Sequence, residues 1–248
     1  MTLSVLAGGK IFGRRHGDEP PVVLALHGWD RSHTDFDTSL DGLNGVAVDL
    51  PGFGATPPPE SAWGSAEYAR SVGVVLDEMD LPVVIVGHSF GGRVAVHLAQ
   101  QQPASVVGLV LTGVPLLKRQ DGARKSPVGF RLAKKLNQIG LIGEARVDRL
   151  REKHGSADYR AATGVMRDIM VRAVNESYED QLSDINCRVE LLWGEADTAA
   201  PTEVARRAEA LLSNATLTIE PQLDHFLPIS RPDLVRAAIN RQLEARPK

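Results

Sequence analysis

Short, almost unbroken apolar runs recur along this chain, and the stretches between them carry apolar residues at helical spacing. The runs are Val22 to Leu26, Gly45 to Leu50, Leu81 to Val86, Val106 to Thr112, Arg188 to Trp193 and Ala215 to Glu220. A continuous run suits a strand covered on both faces, whereas strict alternation would mark one exposed face. Ser65 to Asp80 places Tyr68, Val72, Val75, Leu76 and Met79 on one helical stripe. Arg93 to Gln102 does the same with Val94, Leu98 and its alanines, and Pro103 closes it. Thr202 to Leu212 and Arg231 to Gln242 also read as helices. At the amino end, Thr2 to Ala7 and Lys10 to Arg15 flank Gly8-Gly9, a pair suited to a two-residue hairpin turn, which predicts an antiparallel edge. Strands alternating with helices predict an α/β fold: a mostly parallel central sheet, right-handed crossovers and helices on both faces.

From Leu116 to Ile185 the alternation stops and the composition turns helical and charged. This predicts a helical cap inserted late in the sheet, with residues 1–115 and 186–248 forming one core. Within the insertion, Ser126-Pro127 marks a helix start and Gly140 a stop, while Ser156 opens a longer pattern through Met166, Met170, Val171 and Val174. Those methionines read as core residues of a packed face rather than substrate contacts. The segment carries 14 Lys plus Arg against 10 Asp plus Glu, so it is net positive while the remainder is net negative. Lys118, Arg119, Arg124, Lys125, Arg131, Lys134 and Lys135 hold the positive charge; a solvated face is the commoner meaning of such a run, and attraction of an anionic substrate the alternative.

With 248 residues the chain can bury one sizeable core, and 43% hydrophobic against 24% charged residues fits a globular protein. A net charge of −3 supplies no broad basic field for nucleic acid. The apolar runs fall far short of the ~20 residues a membrane span needs, and Met1 to Ala7 lacks the basic start of a signal peptide, so a cytoplasmic protein is expected. Cys187 is the single cysteine, which excludes an internal disulfide and a multi-cysteine zinc site. No cofactor or metal is expected. The predicted partner is a small-molecule substrate, and nothing in the sequence sets the oligomeric state.

The chemistry concentrates where apolar runs end. The run through Val86 leads into Gly87-His88-Ser89-Phe90-Gly91-Gly92 and then a helix, the strand–turn–helix context in which G-x-S-x-G forms a nucleophile elbow around Ser89. The glycines give room where strand and helix fold back on each other. His27-Gly28-Trp29 follows another buried run; its exposed N–H groups suit a developing oxyanion, and a simple turn with His27 hydrogen-bonded beneath it is the alternative. Asp49 reads as the brace of the Pro51-Gly52-Phe53-Gly54 turn. Asp197 and His225 each lie just beyond a strand, where loops at the carboxyl ends of parallel strands converge on a ligand crevice. His88 reads as packed or hydrogen-bonded beneath the elbow.

These motifs carry a resemblance that covers nearly the whole chain. HGW at His27 to Trp29, DLPGFG at Asp49 to Gly54, GHSFGG at Gly87 to Gly92, WGEAD at Trp193 to Asp197 and DHF at Asp224 to Phe226 make the chain similar to capped members of the α/β-hydrolase superfamily. The chain order Ser, Asp, His matches as well. The resemblance implies Ser89 as nucleophile, His225 as general base and acid, and Asp197 as its orienting acid, with Glu195 and Asp224 as neighbouring acids. It implies backbone N–H groups of Trp29 and Phe90 as the oxyanion hole, their side chains lining the pocket. Many relatives have glycine where this chain has Asp224, a carboxylate that either raises the basicity of His225 or points to solvent. The expected activity is cofactor-independent hydrolysis of a small ester, thioester or lactone through an acyl-enzyme. Hydrolysis of a carbon–carbon bond in a vinylogous diketone, acyl transfer, and a non-catalytic ligand receptor are the alternatives. A serine at the elbow disfavours dehalogenation and epoxide hydrolysis.

Overall fold

The computed structural model describes residues 3–119 and 157–246. Its strands are β1 (Ser4–Leu6), β2 (Ile11–His16), β3 (Val23–Leu26), β4 (Gly45–Asp49), β5 (Val83–His88), β6 (Val106–Thr112), β7 (Arg188–Gly194) and β8 (Ala215–Glu220). They form one sheet in the order β1-β2-β4-β3-β5-β6-β7-β8. β1 pairs antiparallel with β2 and β2 with β4; every pairing from β4 through β8 is parallel. The apolar runs therefore became the parallel strands, as their lack of alternation predicts. The amino-terminal hairpin forms the antiparallel edge, but its connection is longer than a two-residue turn. Ala7–Gly9 is a 3-10 turn with Ala7, Gly8 and Gly9 all at positive φ. Glu78 closes it from outside, its carboxylate accepting the Ala7 N–H.

Helices over the described residues are α1 (Ser65–Asp77), α2 (Phe90–Gln101), α3 (Ala157–Ala161), α4 (Gly164–Ala173), α5 (Glu179–Ser183), α6 (Thr202–Leu211), α7 (Leu227–Ser230) and α8 (Pro232–Glu244). Each buried strand turns successive side chains to opposite faces of the sheet. Ile85, Leu109, Leu111, Leu191 and Trp193 point into one core with α1, α2 and α6. Val84, Val86, Val110 and Leu192 point into the other, against Phe36, Leu40 and the α8 residues Val235, Ala238 and Ile239. Fully burying such an aliphatic side chain stabilises by about 1.5–3 kcal/mol, so both faces hold the parallel strands in register.

The first half of the predicted insertion, with Ser126-Pro127, Gly140 and Ser156, lies outside the described residues. Around it, Leu116 and Leu117 are buried, and the Leu116 carbonyl accepts the Tyr178 N–H. The methionine stripe divides: Ile169, Met170 and Ala173 of α4 are buried, whereas Val174 is 66% exposed and Met166 lies over Gly52 at the rim of a cleft. No helix among the described residues is long and apolar enough to cross a membrane.

Candidate active site

The strand order places a topological switch at β3: the chain runs from β3 outward to β4, then returns to lay β5 on the other side. Loops beyond the carboxyl ends of β3, β5, β7 and β8 consequently open on one crevice. The elbow is its centre. Ser89 sits between β5 and α2 at φ 48°, ψ −110°, a backbone conformation costing a non-glycine residue about 1–3 kcal/mol. Close packing holds it there. A Cβ on Gly91 would lie 2.2 Å from the Leu26 carbonyl oxygen, and one on Gly87 2.6 Å from the Gly92 Cα. The Ser89 N–H donates to the Thr112 carbonyl at 3.0 Å, tying the turn to the end of β6. α2 begins at Phe90, three residues before the Arg93 start that the sequence predicts, because the elbow itself supplies the first helical turn.

Asp197 and His225 meet at this point. His225 Nδ1 lies 2.8 Å from Asp197 Oδ2, and Nε2 lies 3.0 Å from Ser89 Oγ. A carboxylate only accepts, so Nδ1 carries the proton and Nε2 is the acceptor toward the serine hydroxyl. Asp197 is fixed by two backbone donors: its Oδ1 accepts the N–H groups of Ala199 and Ala200, both at 2.8 Å. The neighbouring acids stand elsewhere. Glu195 is exposed, its own N–H spent on Glu220 at the end of β8. Asp224 Oδ1 accepts the Phe226 N–H at 3.0 Å, so this carboxylate braces the turn that carries His225.

The N–H groups of Trp29 and Phe90 have no protein acceptor among the described residues. Phe90 is the first residue of α2, where backbone donors are left unpaired. The two rings are locked edge to face 5.4 Å apart, with Phe53 4.9 Å from Trp29 and Tyr68 5.0 Å from Phe90. Trp29 lines the cleft, but the Phe90 ring does not: it is buried in this aromatic cluster, where more apolar area is covered. His27 supports the loop from below. Its Nδ1 donates to the Gly28 carbonyl at 2.7 Å and its Nε2 accepts the Leu50 N–H at 2.9 Å. Burial lowers its pKa to about 4, so it stays neutral. The bonded His27 and the free Trp29 N–H are thus two parts of one loop.

The cleft over Ser89 measures about 210 Å³. Its walls include Asp30, Arg31, His88, Asp158 and Phe226. A second hollow of about 180 Å³, reaching Gly52, Phe53 and Met166, shares Trp29, Asp30 and Asp158 with it. Arg31 is paired through two nitrogens with Asp35 at 2.8 and 2.6 Å and lies over the Phe226 ring. Sequence reasoning missed Asp30, Arg31 and Asp158. The first two directly follow the HGW motif, which is the signal that marks them; Asp158 has none. Among the described residues no cluster of three or more His, Cys, Asp or Glu is placed to hold a metal ion.

Comparison with known proteins agrees with this architecture. The model of the alpha/beta hydrolase family matches residues 22–238. The uncharacterized hydrolase YugF of Bacillus subtilis is 26% identical over 242 residues, covering 86% of each chain. A 2-hydroxy-6-oxononadienedioate/2-hydroxy-6-oxononatrienedioate hydrolase of Cupriavidus pinatubonensis is also 26% identical, over 89% of this chain and 82% of its own. A putative lipase from Acinetobacter baumannii superposes with a TM-score of 0.73 at 21% identity, covering 98% of this chain and 91% of that one. The topology, the crevice at the switch point and the family match lead to one assignment: this chain belongs to the alpha/beta hydrolase family and is a hydrolase.

Proposed function

We propose that the protein is a cofactor-independent serine hydrolase that cleaves a small ester, thioester or lactone through an acyl-enzyme, with Ser89, His225 and Asp197 as its triad. The observation that carries this reading is the unbroken chain of contacts from Asp197 Oδ2 through His225 to Ser89 Oγ, at 2.8 and 3.0 Å, on a serine held at positive φ. Ser89 Oγ attacks the carbonyl carbon as its proton passes to His225 Nε2, and Asp197 stabilises the imidazolium. The Trp29 and Phe90 N–H groups take the negative charge on the carbonyl oxygen; one such donor is worth about 10² to 10³ in turnover. His225 then protonates the leaving group, and water attacks the acyl-enzyme with the same histidine as base. Residues 116–185 act as the cap over this cleft.

The test is intact-mass analysis after treatment with a fluorophosphonate, comparing the protein with Ser89→Ala. One adduct that disappears in the variant is expected. A folded protein that takes up no adduct, or a variant that still does, overturns the assignment. The relative named for a 2-hydroxy-6-oxononadienedioate substrate favours a second reading, carbon–carbon bond hydrolysis by the same triad. Turnover of a vinylogous diketone above that of simple esters would select it.

A further inference from the structure

His88 occupies the middle of the elbow motif, and the triad makes no use of it. The residue is 2% exposed. Its Nδ1 lies 3.0 Å from the Thr112 carbonyl and 2.9 Å from the Thr112 hydroxyl. A carbonyl only accepts, so the proton sits on Nδ1 and Nε2 is left as a lone-pair acceptor. Burial, with the neighbouring His225 adding to it, lowers the pKa to about 3, so the ring remains neutral and that lone pair remains available. No described residue donates to Nε2. The ring lies 4.8 Å from that of His225, and its Cδ2–Nε2 edge faces Gly28, where an added Cβ would come within 2.9 and 3.4 Å of those atoms. Both residues line the cleft over Ser89.

Two exposed carboxylates stand at the mouth of that cleft. Asp30 and Asp158 line it without an ion-pair or hydrogen-bond partner for their carboxylates among the described residues. The one guanidinium among the described residues of its wall, Arg31, already spends two nitrogens on the buried Asp35. Among the described residues, Arg31 set against Asp35, Asp30 and Asp158 leaves this wall of the cleft negative and rich in acceptors. An acceptor that a bound ligand covers without offering a donor costs about 1–3 kcal/mol, so a ligand bringing a donor is favoured over an isostere lacking one.

We propose that the cleft selects acyl substrates bearing a hydroxyl or ammonium group beside the scissile carbonyl, with His88 Nε2 as the acceptor that reads the donor and Asp30 and Asp158 turning away anionic analogues. This rests on the serine-hydrolase reading of Ser89. His88 is a specificity-determining residue here, and the reading runs against the anionic substrate that the basic run from Lys118 to Lys135 would suggest; of that run only Lys118 and Arg119 are described, and both are exposed.

The experiment compares kcat/KM for isosteric pairs: ethyl lactate with ethyl isobutyrate, and ethyl 3-hydroxybutanoate with ethyl 3-methylbutanoate, alongside alanine ethyl ester and monoethyl succinate. The hydroxy ester of at least one pair is expected to be favoured about 10-fold, the worth of one neutral hydrogen bond. In His88→Asn, whose side-chain N–H can keep the bond to Thr112 while the shorter amide draws its acceptor back from the Nε2 position, that ratio falls to near one. A preference for the methyl isosteres or for monoethyl succinate, or a hydroxy preference that survives in His88→Asn, overturns the proposal. A second measurement leaves His88 intact and needs no turnover. In ¹⁵N-histidine-labelled Ser89→Ala protein, lactamide and 3-hydroxybutanamide should move the His88 Nε2 resonance upfield, and isobutyramide should not. Resonances that respond alike to all three, or to none, refute the role of His88 even if esters are cleaved. A selective shift in a protein that cleaves no ester upholds it while the serine-hydrolase reading fails.

Discussion

Two histidine–aspartate pairs lie beyond the carboxyl ends of this sheet, and their difference shows what makes a pair chemically useful. His225 Nδ1 is 2.8 Å from Asp197, and His33 Nδ1 is 2.8 Å from Asp49. The aspartate side chains are 0% and 1% exposed, the histidines 17% and 11%, so neither distance nor burial separates the pairs. The far side of each group does. Asp49 spends both oxygens on the turn: Oδ1 also accepts the His33 N–H and Oδ2 the Ala55 N–H, each at 2.8 Å. His33 has no nucleophile hydrogen-bonded to its other nitrogen among the described residues. Asp197 gives one oxygen to the backbone and keeps the other for His225, whose second nitrogen reaches a serine on a strained turn. An acid beside a base braces a loop; aimed on a third group in a cleft, it equips a reaction.

The comparison breaks most sharply at the serine. Ser89→Ala and His225→Ala are each expected to lose about 10⁴-fold or more in kcat, and the double variant little beyond either, because the groups act as a unit. Steady-state assays on the best ester substrate measure this, and an additive double variant would contradict it. Asp197→Asn should cost about 10⁴-fold in kcat with the fold retained, since Oδ1 keeps its backbone donors while the new amide turns a donor toward Nδ1 and forces the wrong tautomer. Asp49→Asn makes the contrasting case. It should leave kcat within a few-fold but lower stability by about 1–3 kcal/mol, because a donor on the buried residue 49 side chain then faces the Ala55 N–H. Urea unfolding and kinetics on both variants decide; a kcat loss at Asp49 matching that at Asp197 would erase the distinction.

Smaller effects sharpen it. His27 and His88 are held neutral in the fold, with pKa values about 4 and 3 against an ordinary 6.5. The unfolded chain therefore binds more protons below pH 6.5, and the stability present above that value is lost as pH falls toward the folded values. Between pH 6.5 and 5 the loss approaches about 1.4 kcal/mol per pH unit for each such histidine, visible as a falling urea midpoint. A flat midpoint over that window would mean that the two rings are not buried neutral. Asp224→Asn is the weakest change, expected to shift kcat/KM less than about 3-fold, because an asparagine oxygen can still accept the Phe226 N–H as in other Asx turns. A displaced pH–rate profile in that variant would instead make Asp224 an electrostatic partner of His225.

Much of this was legible because the signals are local. Continuous apolar runs became the parallel strands, and the Gly87 to Gly92 motif announced its turn by its own spacing, although Leu26, His27, Thr112 and Val114 pack around it. The hairpin turn was misjudged because Gly8-Gly9 looks self-sufficient, whereas the closing group, Glu78, comes from the far end of α1. Phe90 was expected to line the pocket, but its ring joins aromatic partners brought by separate elements. Met166 and Met170 occupy one helix at adjacent turns, yet one meets the cleft rim and the other is buried.

The sequence by itself determined the order of strands and helices, the elbow, and the short list of acids and histidines placed at strand ends, because each depends on periodicity or spacing within a few residues. Only the tertiary structure decided which of them meet. Asp197 rather than Glu195 or Asp224 faces His225 across 28 positions, and Ser89 is reached across 136. Such contacts are set by the sheet order and the twist of its loops, and no local pattern encodes a distance between residues that separate strands carry to one edge.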